Sequence, residues 1–442
     1  MILALVIHVA VAAGVPSNEV DKALTPKLPA LLATYKDLHA SPELSEKEEK
    51  TSAKLASKLK SLGYTVTTNF GRYADPKQPA YGVVAVFKNG NGPTLLVRAD
   101  MDALPVTEET GLPFASKVRT KTPAGVETGV MHACGHDVHM TSMLGTAEMM
   151  MQLKDKWRGT LVLIAQPAEE VGSGAKSMLS AGLYEKFGKP NYAIGLHVDS
   201  ETAAGVVVTR PGFLLANVDT VEVTMRGVGG HGAYPNLVKD PIVMAGELVV
   251  ALQTIVSREV TPGEAAVVTV GSIHGGTKSN VIPDEVKLQL TVRSYKEEVR
   301  KVLLAGISRI ANGIAAANGV PGDRMPIVKV SETDNTPALY NNPELTERLM
   351  TLWKSELGES AVAIKEARMG GEDFSRYSLE DRSVPAVFFF VGASDPKAVE
   401  AYHKEGKPLA QGHTARYAPV AEVAIRRGVQ ATVVAATNLL AL

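Results

Sequence analysis

Three of the ten histidines in this 442-residue chain fall within eight residues: His132, His136 and His139. The single cysteine, Cys134, stands among them in His-Ala-Cys-Gly-His-Asp-Val-His. Gly135 permits a tight turn between Cys134 and His136, so both side chains can face one point. Thiolate and imidazole are borderline-soft donors suited to zinc and its neighbours. The bland account is a structural cysteine with incidental histidines, but polar groups at this density are seldom buried without partners.

A second group is Gln166-Pro167-Ala168-Glu169-Glu170, which follows an apolar strand. Adjacent carboxylates on extended chain point opposite ways, so one can bind a metal while the other addresses a water. Alone, such a pair reads as a solvated acidic turn. His197 lies in Gly195-Leu196-His197-Val198-Asp199 and fits either a core histidine or a ligand. Asp100 and Asp102 end another strand. Strand ends of a parallel sheet are where α/β folds place ligands, so several polar strand ends converge on one edge. His413 precedes the last helix, with His403 its nearest rival. Gly229-Gly230-His231-Gly232 puts a histidine on a closely approachable turn, and Asn280 and Arg293 are able to hold a carboxylate. A turn histidine is the plain alternative for His231, and surface hydrogen bonding for Asn280 and Arg293.

The elements that must carry these residues follow from periodicity. Residues 23–62, 137–153, 174–187, 344–357 and 420–439 repeat apolar side chains at helical spacing, and 161–165, 192–198 and 386–391 are short apolar runs of buried strands. Strands 81–87 and 93–97, separated by Asn89-Gly90-Asn91-Gly92, carry a hairpin signal. Strands alternating with helices predict an α/β domain with a mostly parallel sheet. After Gly212 the pattern changes to strand 218–226, helix 241–258, strands 265–273 and 285–293, helix 299–317 and strand 327–330. That β-α-β-β-α-β order predicts an inserted ferredoxin-like α+β domain. The expected organisation is therefore a catalytic domain in two parts, 20–212 and 331–442, around a domain spanning 213–330.

Residues 2–15 are almost wholly apolar and end in small residues. They are too short to span a bilayer and match a secretory signal segment over 1–16, with a first helix or strand packed on the core as the alternative. Secretion or a periplasmic location is expected on that basis, against a cytoplasmic one. A formal net charge of −1 gives no electrostatic case for nucleic acid or an anionic membrane. One cysteine excludes an intramolecular disulfide. No G-x-G-x-x-G lies in a first βα turn, and no G-x-x-x-x-G-K-[ST] or G-x-S-x-G nucleophile elbow is present.

Taken together, R-A-D-M-D-A-L-P, H-A-C-G-H-D-x-H, Q-P-A-E-E, G-L-H-V-D, G-G-H-G-A-x-P and S-N-V-I-P-D resemble the aminoacylase/carboxypeptidase superfamily of di-metal peptidases. The likeness runs from about residue 25 to 435. It is strongest to hippurate hydrolases, N-acyl-amino-acid amidohydrolases and auxin-conjugate hydrolases. The resemblance implies a di-zinc-peptidase-like catalytic domain with a lid domain that also dimerises. It implies two divalent metal ions, zinc first and manganese, cobalt or nickel as alternatives. It makes Cys134, His136, Glu170, His197 and His413 their ligands and Glu169 the general base and acid. It places His231 on the lid and Asn280, Arg293 and the Gly370-Gly371 backbone near the substrate. Other branches carry His-x-Asp where this chain has Asp100-Met101-Asp102, so Asp102 is expected to orient a ligand. The implied substrate is a small N-acyl or N-aroyl amino acid, with a dipeptide as the alternative and a non-catalytic metal-binding protein as the rival class.

Overall fold

The computed structural model describes residues 14–121 and 125–441, which form two compact units. The expected signal segment lies outside the described residues except for Gly14, Val15 and Pro16. Val15 is buried and its N–H donates to Thr437 Oγ1 at 2.9 Å.

The first unit comprises residues 14–212, 340–366 and 376–441. Its eight-stranded sheet uses β1 (Thr65–Phe70), β2 (Gly82–Asn89), β3 (Thr94–Asp100), β4 (Gly159–Gln166), β5 (Tyr192–Ala203), β6 (Val207–Thr209), β7 (Val362–Ile364) and β8 (Ala386–Ser394). Their spatial order is β1-β2-β4-β3-β5-β8-β6-β7. The central run β4-β3-β5-β8 is wholly parallel, with antiparallel pairing at β1-β2, β2-β4 and β8-β6. Side chains alternate across this sheet. Leu95, Val97, Ala99, Leu161, Leu163, Ile194, Leu196, Val387 and Phe389 join one core with helices Leu28–Ala40, Glu49–Ser61, His136–Gln152, Pro343–Leu357 and Ala421–Leu439. Leu96, Val162, Ile164 and Phe388 on the opposite face are also buried. Burial on both faces explains the near-continuous apolar runs.

The hairpin expected around Asn89–Gly92 is not formed. β4 lies between β2 and β3, antiparallel to one and parallel to the other. The link steps over a strand supplied from some seventy residues downstream, and Gly90 takes φ +79° in doing so. The expected helix 174–187 breaks into Gly174–Ser180 and Leu183–Phe187 at Gly182, which has φ +84°. A helix at Pro396–Glu405, carrying His403, was not anticipated.

The second unit comprises residues 213–339 and 367–375. Its antiparallel sheet has strands Ala266–His274, Glu285–Ser294, Asn217–Arg226 and Ile327–Thr336 in that spatial order. With helices Pro241–Thr254 and Glu297–Ala317 this is the ferredoxin-like arrangement. The last strand runs to Thr336, past Val330. Residues 367–375 join the unit because Arg368 N–H donates to Leu214 O and Ala216 N–H to Gly370 O. The apolar stretch Pro241–Glu259 is long enough to cross a membrane, yet Met244, Ala245, Leu248, Leu252 and Ile255 are buried in this unit's own core.

Candidate metal centre

The polar cluster of the first unit forms at the C-terminal ends of the parallel strands. β3 ends on Asp100, β4 leads into the Glu169–Glu170 turn, and β5 carries His197 opposite Phe390 of β8. Cys134 and His136 sit where a loop enters helix His136–Gln152, and Gly135 between them has φ +81°. A Cβ on Gly135 would lie 2.5 Å from Val198 Cγ2, so side-chain-free backbone is required there.

The donors face one another. Cys134 Sγ lies 3.4 Å from His197 Nε2 and 3.2 Å from His413 Nε2. His413 Nε2 is 3.5 Å from Glu170 Oε2, and His136 Nε2 is 3.7 Å from Glu170 Oε1 and 4.0 Å from Glu169 Oε2. His197 Nδ1–H donates to Val198 O at 2.6 Å, leaving the Nε2 lone pair toward the thiol. Burial, then the neighbouring His139, hold His197 well below the usual histidine range, so it is a neutral donor. Asp102 Oδ1 stands 3.4 Å from His136 Nδ1, on the side of the ring away from the carboxylates of Glu169 and Glu170. Asp102 Oδ2 accepts Ser45 Oγ–H at 2.7 Å and Glu170 N–H at 2.9 Å. Asp102 therefore orients rather than projects into the cluster.

Two other histidines are committed elsewhere or set apart. His139 donates from Nδ1 to Asp100 Oδ1 at 2.6 Å and accepts Val198 N–H on Nε2 at 2.8 Å. Asp100 also accepts from Arg98 at 2.6 Å. Burial would raise Asp100, but Arg98 and the flanking histidines hold it well below the carboxylate range. His132 is buried, which pushes it down to about 4 and keeps it neutral. His413 takes φ +64°, a left-handed conformation rare for a residue with a Cβ, while its N–H donates to Ala133 O at 2.8 Å. That strained backbone brings an otherwise exposed imidazole to the thiol.

The donor set fits divalent cations. Among the described residues, His136 Nδ1 and Nε2, Asp102 Oδ1 and Glu170 Oε1 are buried without hydrogen-bond partners. Burial, then Glu170 and Glu169, push the Cys134 thiol well up, and burial raises Glu170. Burial would lower His136, but Asp100, then Asp102 and Glu170, carry it to about 10. Carboxylates, thiol and imidazoles thus crowd a place that favours positive charge; a bound cation would stabilise the thiolate and carboxylate and take the place of the His136 proton.

The second unit holds the other expected residues. His231 pairs through strand Gly230–His231 with Val281–Ile282, and Gly232 N–H donates to Asn280 O at 2.9 Å. Ala233 N–H donates to His231 Nδ1 at 3.0 Å, so Nε2 carries the ring proton. Arg293 Nη1 donates to Met369 O at 2.6 Å, two residues from Gly371. A Cβ on Gly371 would lie 2.6 Å from Val218 Cγ2. Sequence reasoning missed Ser45, Glu48, His39 and Asp137, whose partners lie far along the chain.

A parallel α/β sheet whose strand ends gather thiol, imidazole and carboxylate donors defines a metal-dependent hydrolase of amide or peptide bonds. The chain belongs to peptidase family M20/M25/M40, whose model matches residues 96–411. It is 39% identical over 369 residues to an N-acetyldiaminopimelate deacetylase of Leuconostoc mesenteroides, covering 82% of this chain and 89% of that protein. It is 37% identical over 369 residues to thermostable carboxypeptidase 2 of Saccharolobus solfataricus, covering 83% and 86%. A crystal structure from Bacillus subtilis, described as a dinuclear metal binding peptidase, superposes with TM-score 0.75 at 30% identity, covering 95% of this chain and 99% of that one.

Proposed function

We propose that the enzyme hydrolyses N-acyl amino acids to a carboxylic acid and a free amino acid. The observation that carries this is the Cys134–His197–His413–Glu170 contact set with Glu169 on its rim. Cys134, His136, Glu170, His197 and His413 would hold two divalent cations, zinc by donor chemistry. When bound, these ions acidify water and polarise an amide carbonyl. Glu169 takes the proton of the attacking water and returns it to the leaving nitrogen. His231, protonated on Nε2, is suited to donate to the developing oxyanion. Arg293 and Asn280, with the Gly371 backbone, suit the substrate carboxylate.

A Glu169→Gln enzyme is expected to keep its metal and lose at least about 10²-fold in turnover. Near-normal turnover removes Glu169 from the role. The competing assignment is a dipeptidase or carboxypeptidase, favoured by the carboxypeptidase relative. Acetyl-, benzoyl- and aminoacyl-amino acids assayed side by side decide between them. A homodimer through the second unit is part of the same proposal. Ile242, Val243 and Val250 on one helix and Ile273 on the edge strand Ala266–His274 are exposed apolar side chains that support it. Export to the periplasm or medium is proposed from the apolar segment 2–15 alone.

A further inference from the structure

We propose that Glu48 is a positioning residue for the catalytic turn, its Oε1 propping the backbone that presents Glu169 and Glu170. The role rests on the assignment of Glu169 as the base. Glu48 sits at the start of helix Glu49–Ser61 and its side chain is fully buried. Oε1 accepts Ala168 N–H at 2.7 Å and Glu46 N–H at 3.0 Å. Both of those residues are in the left-handed region, Ala168 at φ +52° and Glu46 at φ +67°. Residues bearing a Cβ persist there only where their surroundings over-determine them.

The turn is pinned on its other sides as well. Ala168 O accepts Ser173 N–H at 3.2 Å and Gly174 N–H at 3.0 Å, and Glu170 N–H donates to Asp102 Oδ2 at 2.9 Å. Among the described residues, Glu48 is the acceptor that holds the Ala168 amide, immediately before the base. Without it, that N–H is buried unpaired and Ala168 relaxes toward an ordinary φ, turning Glu169 with it. Burial, then the Asp102 charge, push the Glu48 acid upward. Its Oε2 has no hydrogen-bond partner among the described residues. Because both bonds fall on Oε1, the carbonyl oxygen of a glutamine can take over the holding.

The test compares kcat, KM, metal content and melting temperature for Glu48→Gln, Glu48→Met and Glu48→Met/Ala168→Gly. The glutamine enzyme is expected within about threefold of wild type. The methionine enzyme keeps the volume, loses the acceptor, and is expected to retain its metal and KM while kcat falls about thirtyfold. Adding glycine at 168, which adopts φ +52° at no steric cost, is expected to restore at least about fivefold. A structural role elsewhere in the core would not be rescued at that position. If the methionine enzyme does not fold, Glu48→Asp, whose shorter arm withdraws the acceptor, takes its place with the same expectations. Wild-type kcat in the folded methionine or aspartate enzyme, or equal loss in the glutamine enzyme, overturns the positioning role. Wild-type kcat in Glu169→Gln overturns the base assignment beneath it.

Discussion

His39 donates from Nδ1 to Asp137 Oδ2 at 2.6 Å, joining helix Leu28–Ala40 to the residue beside His136. Its Nε2 reaches Glu108 Oε1 at 3.0 Å, so a buried imidazolium stands between two carboxylates. Burial opposes the charge, but Asp137 and then Glu108 raise His39 to about 9. A raised histidine stabilises the fold fully below its unfolded value near 6.5 and loses that contribution as pH climbs through 9. The metal-free protein should melt lower at pH 9.5 than at pH 6.5, and His39→Gln should flatten that slope. Equal slopes in calorimetric scans would sink the assignment.

His136 and His139 should respond differently to alanine in their metal content. His136 faces Asp100, Asp102 and Glu170 at 3.4–3.7 Å, so its loss should empty the metal site and, in the metal-free protein, also leave those buried carboxylates uncompensated. Removing His139 takes the partner from Asp100 Oδ1 and from Val198 N–H, at about 1–3 kcal/mol for each buried group. Elemental analysis and denaturant melts on the two variants separate these outcomes.

Cys134→Ala should lower metal occupancy, because the thiol is within 3.4 Å of both His197 and His413. Activity lost to a chelator should return with added metal in wild type but only weakly in the variant. Full occupancy in Cys134→Ala would remove the thiol from the ligand set.

Gly135→Ala tests the turn itself. Its φ of +81° and the 2.5 Å approach to Val198 predict displacement of Cys134 from His136. Turnover should fall by about 10²-fold, as for a misplacement near 1 Å. A wild-type rate would show that the loop tolerates a side chain.

Arg293→Lys should raise KM while sparing kcat, since a lysine cannot reproduce a forked contact to carboxylate. Steady-state kinetics on a substrate and its carboxamide analogue check this. Discrimination between the two should shrink in the variant.

What was legible in the sequence was what is local or strongly periodic. Cys134, Gly135 and His136 are three consecutive residues, and the helices and buried strands announce themselves by spacing. Asn89-Gly90-Asn91-Gly92 misled because a turn signal says nothing about a strand arriving later to part its arms. Glu48 and His39 were illegible for the same reason. Their partners Ala168 and Asp137 lie 120 and 98 residues away, and no short motif records such a pairing. The left-handed backbone of Ala168 and His413 carried no glycine or asparagine to give it away.

Cys134 and His413 are 279 residues apart in the chain, yet their side chains touch. β8, which shares the sheet edge with His197, also belongs to the last quarter of the sequence. On the ribosome, a nascent chain that has just displayed the Cys134–His136 loop still lacks Glu170, His197 and His413. The Cys134–His413 contact can therefore close only after the chain has been extended past residue 413.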